Sequence, residues 1–303
     1  MKKVYLITGA RGFIGKHLST YLKKVEPNSK IIKLPKKIDL LNSKQTLNFF
    51  KKINVKVDYI FHLADVSGNK KWASDNSFLQ TYANVQIHLN TIFAWKKFLP
   101  KSKLVFVSSI WAYPIGKNFQ NEKNYWEGKL IDYAKFYAYS KKIASLLLEA
   151  ANNNFKLKST TFILGTVFGP GDKSDHFIPS IIRRMNKNPL KLEIRGTGKE
   201  SRDFIFIEDQ IKAIYLHKDC NEALLNVGTG RLVNIKKIII KLKKIMNFNG
   251  KIIFQKIKKD DKDIKRGMSV KKAIFLSGWP NKYNLTNIDI ALKATVKDMR
   301  ING

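Results

Sequence analysis

Residues 4–15 read VYLITGARGFIG, and no other stretch of this chain limits its fold as sharply. The four apolar residues Val4 to Ile7 suit a short strand covered on both faces. Gly9, Gly12 and Gly15 follow at once, and a helical run then continues to about Lys24. A strand that passes through a glycine turn into a helix opens a parallel α/β unit, because successive parallel strands need a crossover between them.

The first half repeats that alternation. KIIKL (30–34), YIFHL (59–63), KLVFV (103–107) and TTFIL (160–164) are short runs rich in β-branched and aromatic residues, separated by helix-like segments at about 43–53, 77–98 and 130–153. They predict a doubly wound parallel sheet whose ligands sit beyond the carboxyl ends of the strands. After about residue 165, GPGD, Pro179, Pro189 and RGTGKE break the alternation into short elements and loops. FIFI (204–207) and LLNV (224–227) are strand-like, and a helix follows the turn GWPNKYN. The expected fold class is α/β: a Rossmann-type sheet over 1–165 and a smaller α/β C-terminal lobe over 166–303, with a segment at about 203–218 returning to the first domain.

Composition excludes several classes. No apolar run approaches the 18 residues of a membrane span, and only four apolar residues separate the N-terminal lysines from Thr8, so no signal peptide is expected. The single cysteine, Cys220, cannot form an internal disulfide and fits a reducing cytoplasm. No metal site is expected. The net charge is +34, yet only eight of the 57 cations are arginine and the lysines run along almost the whole chain. Without clustered cations on a docking motif, a specific nucleic-acid partner is not expected. The lysine-rich segment 236–262 is interleaved with Ile and Leu, which reads as solvated faces of ordinary elements.

The glycine turn lets backbone N–H groups at a helix N-terminus approach a pyrophosphate. A dinucleotide is therefore expected against Gly9, Arg11, Gly12, Phe13, Ile14 and Gly15. The second strand ends Leu34-Pro35-Lys36-Lys37 with no acid before Asp39. Lys36 and Arg11 favour a 2′-phosphate, hence NADP(H) over NAD(H), which stays possible. Asp39 and Leu40 would border the adenine, and Leu63 and Ala64 the cleft, with His62 read as structural.

A proton-moving group is separated from its neighbours by spacing. YAKFYAYSKKIA (133–144) holds three tyrosines, and only Tyr137 has a lysine, Lys141, one helical turn on. A nearby ammonium lowers a phenol's pKa from about 10. Ser109, at the end of the strand KLVFV, would hold the same oxygen while hydride passes to or from a nicotinamide.

TGARGFIG, HLAD, SSIWAYP and YAYSK in this order resemble the extended short-chain dehydrogenase/reductase family. FGPGD, GTGKESRDFIFIED, NVGTG and DIKRGMSVKKAIFLSGWP extend the likeness over nearly the whole chain, to the branch that modifies nucleotide sugars. The resemblance implies an NDP-sugar substrate and homodimers built from the helix pair that includes the Tyr-Lys helix. It implies that Arg202 and Arg266 bind the diphosphate and that Thr166, His176 and Arg184 lie on the substrate side. The dehydratases' Asp-Glu pair is missing, since Ser109 is followed by Ile110 and Trp111. His176 and Arg184 match GDP-L-fucose synthases, but the partner cysteine of that epimerisation falls at Trp111. The expected activity is NADPH-dependent reduction of a 4-keto sugar in surface-polysaccharide synthesis, as in the 3,6-dideoxyhexose synthases. The alternatives are an NAD-dependent 4-epimerase and a non-catalytic cofactor sensor.

Overall fold

A computed structural model describes residues 2–255 and 264–301. Residues 256–262 of the lysine-rich stretch and Asp263 of DIKR lie outside the described residues. Six strands form the main sheet: β1 (Val4–Thr8), β2 (Lys30–Lys33), β3 (Tyr59–His62), β4 (Lys103–Ser109), β5 (Ser159–Leu164) and β6 (Leu224–Val227). Their order is β6-β5-β4-β3-β1-β2, and β1 pairs in parallel with β2 and β3, as β3 does with β4. The chain steps from β1 out to β2 and then returns to the other side of β1 for β3. That reversal opens a crevice at the carboxyl ends of β1 and β3.

Tyr5, Leu6 and Ile7 are fully buried, as the apolar run requires. Helices α1 (Phe13–Val25), α2 (Ser43–Lys51), α3 (Lys70–Asp75), α4 (Ser77–Phe98) and α5 (Lys135–Phe155) connect the strands. Leu6, Ile60, Leu104 and Phe106 from the sheet pack with Phe50, Trp95, Ala144 and Leu148 in one core. A carboxylate ties two distant phenols into this unit: Tyr5 and Tyr215 both donate to Glu26 Oε1, at 2.7 and 2.6 Å. Burial and that carboxylate raise both phenols, Tyr215 to about 12, so each remains a donor.

The chain divides into two compact units. One comprises Met1–Tyr113, Leu130–Ile163 and Ile214–Leu225, and the other Pro114–Lys129, Leu164–Ala213 and Asn226–Gly303. Residues 114–129, kept with the first domain by the sequence reading, group with the second unit. There Phe119–Gln120 pairs in parallel with Gly267–Met268, a contact between segments too distant in sequence for local pattern to reveal. The second unit is also more regular than its proline and glycine content predicts. Phe177–Lys187 is one helix despite Pro179, because proline in the first turn removes only an N–H that has no helical partner. Ile235–Met246 is a helix and Lys251–Gln255 a strand parallel to Lys191–Arg195.

Asp203 organises this second unit. Fully buried, it accepts from Thr229 N at 3.0 Å, Thr229 Oγ1 at 2.6 Å and Gly230 N at 2.9 Å, and so shapes the NVGTG turn. Burial outweighs these bonds and lifts its carboxyl to about 6. Replacing Asp203 by Ala leaves these three partly buried donors without their acceptor, so stability should fall by about 2–4 kcal/mol. The urea unfolding midpoint of Asp203→Ala against wild type measures that loss.

Candidate active site

The crevice is built by a close approach of two backbones. Gly9 has φ +67°, and a Cβ placed there would lie 2.7 Å from Leu63 C and Ala64 N. A Cβ on Gly15 would lie 2.2 Å from Gly9 O, so the first turn of α1 sits directly on the loop. These two positions must be glycine, the first for its left-handed backbone and both for lack of space. The loop is left wrapped around the N-terminus of a 13-residue helix, where a pyrophosphate is favoured by free N–H groups and the helix dipole.

The other sequence-predicted cofactor residues gather on the same unit. The guanidinium of Arg11 donates to Leu34 O at 2.9 Å, which brings its charge to the end of β2 beside exposed Lys36. Leu40 joins Leu34 and Ile87 in a small apolar cluster, with Ala64 and Val66 packed against it. Asp39 Oδ1 accepts from Leu41 N at 2.9 Å and caps its own turn. These groups fit a dinucleotide: a glycine cradle for phosphates, an apolar wall for a base, and cations where a 2′-phosphate would lie.

His62 is buried at the end of β3. Its Nδ1 lies 2.7 Å from Thr8 Oγ1 and its Nε2 2.9 Å from His88 Nδ1. Burial first, and the Lys141 charge second, lower His62 to about 3 and put His88 well below its ordinary value, so both rings are neutral. The pair packs against Phe106, with ring centroids at 5.6 and 4.9 Å, and reads as structure.

The three tyrosines of YAKFYAYSKKIA are set apart, Tyr133 in the turn Asp132–Ala134 just ahead of α5 and Tyr137 and Tyr139 on the helix itself. Tyr139 is 52% exposed. Tyr133 is stacked edge-on with Trp111 at 5.6 Å and lies under the Lys70 ammonium at 4.1 Å. Tyr137 differs from both: its hydroxyl donates to Asp65 Oδ2 at 3.0 Å, and the buried Lys141 ammonium reaches the same oxygen at 2.8 Å. Lys141 also donates to Val107 O at 3.0 Å and lies 5.5 Å from the Tyr137 ring centroid. Ser109 ends β4 as expected, and its Oγ accepts from Trp111 N at 3.3 Å, capping the turn Ile110–Ala112 that packs on α5.

Asp65 is the residue that sequence reasoning passed over. It stands in HLAD, but its partners are 72 and 76 positions away, and nothing local announces them. Asp203 was missed for the same reason, its NVGTG partners lying 26 and 27 residues on.

The predicted substrate-side residues lie in the second unit. Arg202 and Arg266 face each other in register on parallel strands, Arg266 being 4% exposed. The Arg202 guanidinium lies 5.8 Å from the Phe177 ring centroid. Thr166 begins a short strand and donates its N–H to Asp203 O at 2.7 Å. His176 is the exposed N-cap residue of the 177–187 helix, and exposed Arg184 donates to Glu193 O. Among the described residues no group of His, Cys, Asp or Glu is arranged to hold a metal ion. Nor is any described helix long and apolar enough to cross a membrane.

A parallel sheet with a glycine cradle at its switch point and a Tyr-Lys turn on the same unit is the architecture of a dinucleotide-binding fold. The chain belongs to the NAD dependent epimerase/dehydratase family, whose model matches residues 5–228. GDP-L-fucose synthase of Dictyostelium discoideum is 27% identical over 288 residues, covering 89% of this chain and 88% of its own length. A putative UDP-glucose 4-epimerase of Methanocaldococcus jannaschii is 26% identical over 317 residues, covering 98% and 99%. Among solved structures, a GDP-L-fucose synthetase of Naegleria fowleri bound to NADP has the same fold, with a TM-score of 0.85 at 23% identity over 99% of this chain and 93% of that one.

A methyl group at Gly9 should close the cradle. Gly9→Ala should weaken NADPH binding at least ~10-fold, since the added carbon meets backbone atoms that cannot move aside. Titration of the reduced nicotinamide's fluorescence gives the affinity.

Proposed function

We propose that this protein reduces the 4-keto group of a nucleotide-activated sugar or deoxy sugar, using NADPH, in the synthesis of surface-polysaccharide sugars. The observation that carries the reading is the Tyr137 hydroxyl held beside the Lys141 ammonium on the unit that bears the glycine cradle. A bound NADPH supplies the hydride. Tyr137 gives its proton to the carbonyl oxygen that becomes the hydroxyl, and the phenolate left behind takes a proton from solvent. Lys141 offsets the charge on that phenolate, and Ser109 orients the accepting oxygen. Gly9, Gly12 and Gly15 let the loop hold the pyrophosphate, while Arg11 and Lys36 favour the 2′-phosphate of NADP(H).

In the second unit, Arg202 and Arg266 are register partners on adjacent parallel strands. A diphosphate suits the guanidinium fork, which supports Arg202 and Arg266 as nucleotide-diphosphate ligands. His176, Arg184 and Thr166 are assigned to the sugar side on the family pattern alone. The relatives named above act, by their names, on GDP- and UDP-sugars, which supports a nucleotide sugar as substrate. The epimerase among them keeps an NAD-dependent 4-epimerase as the second reading.

The assay mixes the protein with NADPH and a panel of NDP-4-keto-6-deoxy sugars and follows absorbance of the reduced cofactor. Consumption supports the reductase. Conversion of an ordinary NDP-sugar to its C4 epimer with no net consumption would transfer the assignment to the epimerase. Tyr137→Phe should lower turnover by about 10²–10⁴-fold with NADPH affinity retained.

The assembly reading rests on α4 and α5. Phe78, Tyr82, Leu89 and Phe93 form one exposed stripe along α4, and Phe136, Tyr139, Ile143 and Leu146 another along α5. The inner face of α4 is buried against its own unit, Ala83, Ile87, Ala94 and Trp95 lying among Asn84, His88 and Thr91. Two adjoining stripes of exposed large apolar side chains are normally covered, and a second copy of the chain is the covering we propose. Light scattering should give a dimer mass for wild type and a monomer mass for the pair Phe93→Glu and Leu146→Glu.

A further inference from the structure

We propose that Asp65 is a positioning residue that holds the Tyr137 hydroxyl in place and keeps it protonated, biasing the site toward carbonyl reduction over alcohol oxidation. The inference deepens the reductase reading and rests on it for its consequence, though not for its physical basis. A single carboxylate oxygen, Oδ2, accepts from the Tyr137 hydroxyl at 3.0 Å and from the Lys141 ammonium at 2.8 Å. The Asp65 side chain is 20% exposed and that of Lys141 4%, so the group is only partly screened by water.

The charge arithmetic follows from those two contacts. Lys141 alone would favour the phenolate, because an ammonium beside a phenol stabilises the anion. A carboxylate at hydrogen-bond distance does the reverse, since ionising the phenol would set two anions about 3 Å apart and destroy the bond it donates. The same carboxylate neutralises much of the Lys141 charge. His62 on β3 and His88 on α4 are both kept neutral by burial. Trp111 in the turn packed on α5 carries no charge, and Lys70 on α3 lies over the Tyr133 ring. Asp132, just before α5, is exposed and paired with Lys135 at 3.6 Å. Lys103, at the far end of β4, donates to Cys220 O.

Reduction needs the neutral phenol, whose O–H bond breaks as the product's O–H bond forms. Oxidation of an alcohol needs the phenolate as base. A carboxylate that holds the phenol neutral therefore supports the first direction and opposes the second at neutral pH. The phenol has one proton, so its hydrogen bond to Asp65 is exchanged for one to the carbonyl oxygen when substrate arrives.

The test reads Tyr137 directly, without turnover. Tyrosine labelled with ¹³C at Cζ is incorporated, the Tyr137 resonance is assigned by its loss in Tyr137→Phe, and its shift is followed against pH in the cofactor-free protein and with NADP⁺ bound. Wild-type Tyr137 is expected to titrate above the ordinary phenol value of about 10 in the cofactor-free protein. Asp65→Asn, nearly the same shape without the charge, should move the midpoint down by at least ~1 pH unit in both states. Asp65→Glu should restore most of the difference, and circular dichroism checks that each variant is folded. In the reductase assay, the alkaline limb of the Asp65→Asn rate profile should move down in step, with the reverse oxidation faster at neutral pH. An unchanged midpoint in Asp65→Asn, or a wild-type phenol titrating below about 10 in the cofactor-free protein, would overturn the proposal. A shifted midpoint with no sugar reduced would leave Asp65's effect standing and remove the reductase reading instead.

Discussion

The meeting of Gly9 with Leu63 and Ala64 is the constraint on which the first unit depends. Two parallel strands can bring their ends this close only where no side chain intervenes, and Gly9 at φ +67° supplies both the space and the turn. The contact holds β1 and β3 together at the switch point of the sheet. It directs the loop onto the helix N-terminus, and it sends the chain from His62 straight into Asp65. The cradle and the carboxylate beside Tyr137 are thus two results of one packing event. Thr8 and His62, bonded at 2.7 Å just below, close the floor of the crevice with neutral groups.

Acids are scarce in this chain, 23 against 57 cations, and several are used as shared acceptors. Glu26 ties Tyr5 to Tyr215, Asp65 ties Tyr137 to Lys141, and Asp203 ties together the N–H and hydroxyl groups of the 229–230 turn. Asp209 does the same for Thr286, accepting from its N–H at 2.8 Å and its hydroxyl at 3.2 Å. Charged acceptors make the stronger hydrogen bonds, so a few buried or half-buried carboxylates can fix joints between segments far apart in sequence. The lysines, by contrast, mostly lie on solvated faces, where their pairs contribute little.

The fold was largely legible because apolar periodicity is a local property. The expected helix at 77–98 and the strand at 224–227 match the observed elements, and the β1–turn–α1 unit follows its glycines. Less was legible where local signals compete. Pro179 looked like a break and is a first-turn residue, and the short helix Lys70–Asp75 had no periodic pattern long enough to see. Of the site, Tyr137 and Lys141 could be chosen because one helical turn relates them. Asp65 could not, since the bond that gives it meaning joins β3's end to α5.

The amino-acid sequence by itself determined the doubly wound class, the glycine cradle and the Tyr-Lys turn, because strand runs, tight turns and i,i+4 neighbours are set within a dozen residues. Only the tertiary structure decided which groups meet across long separations: Asp65 with Tyr137 and Lys141, Arg202 opposite Arg266, and 114–129 with 267–268. Such meetings depend on how whole elements dock, which no short window contains. The charge state of the phenol belongs to this second group, because it is settled by the balance of one ammonium and one carboxylate brought to it from different parts of the chain.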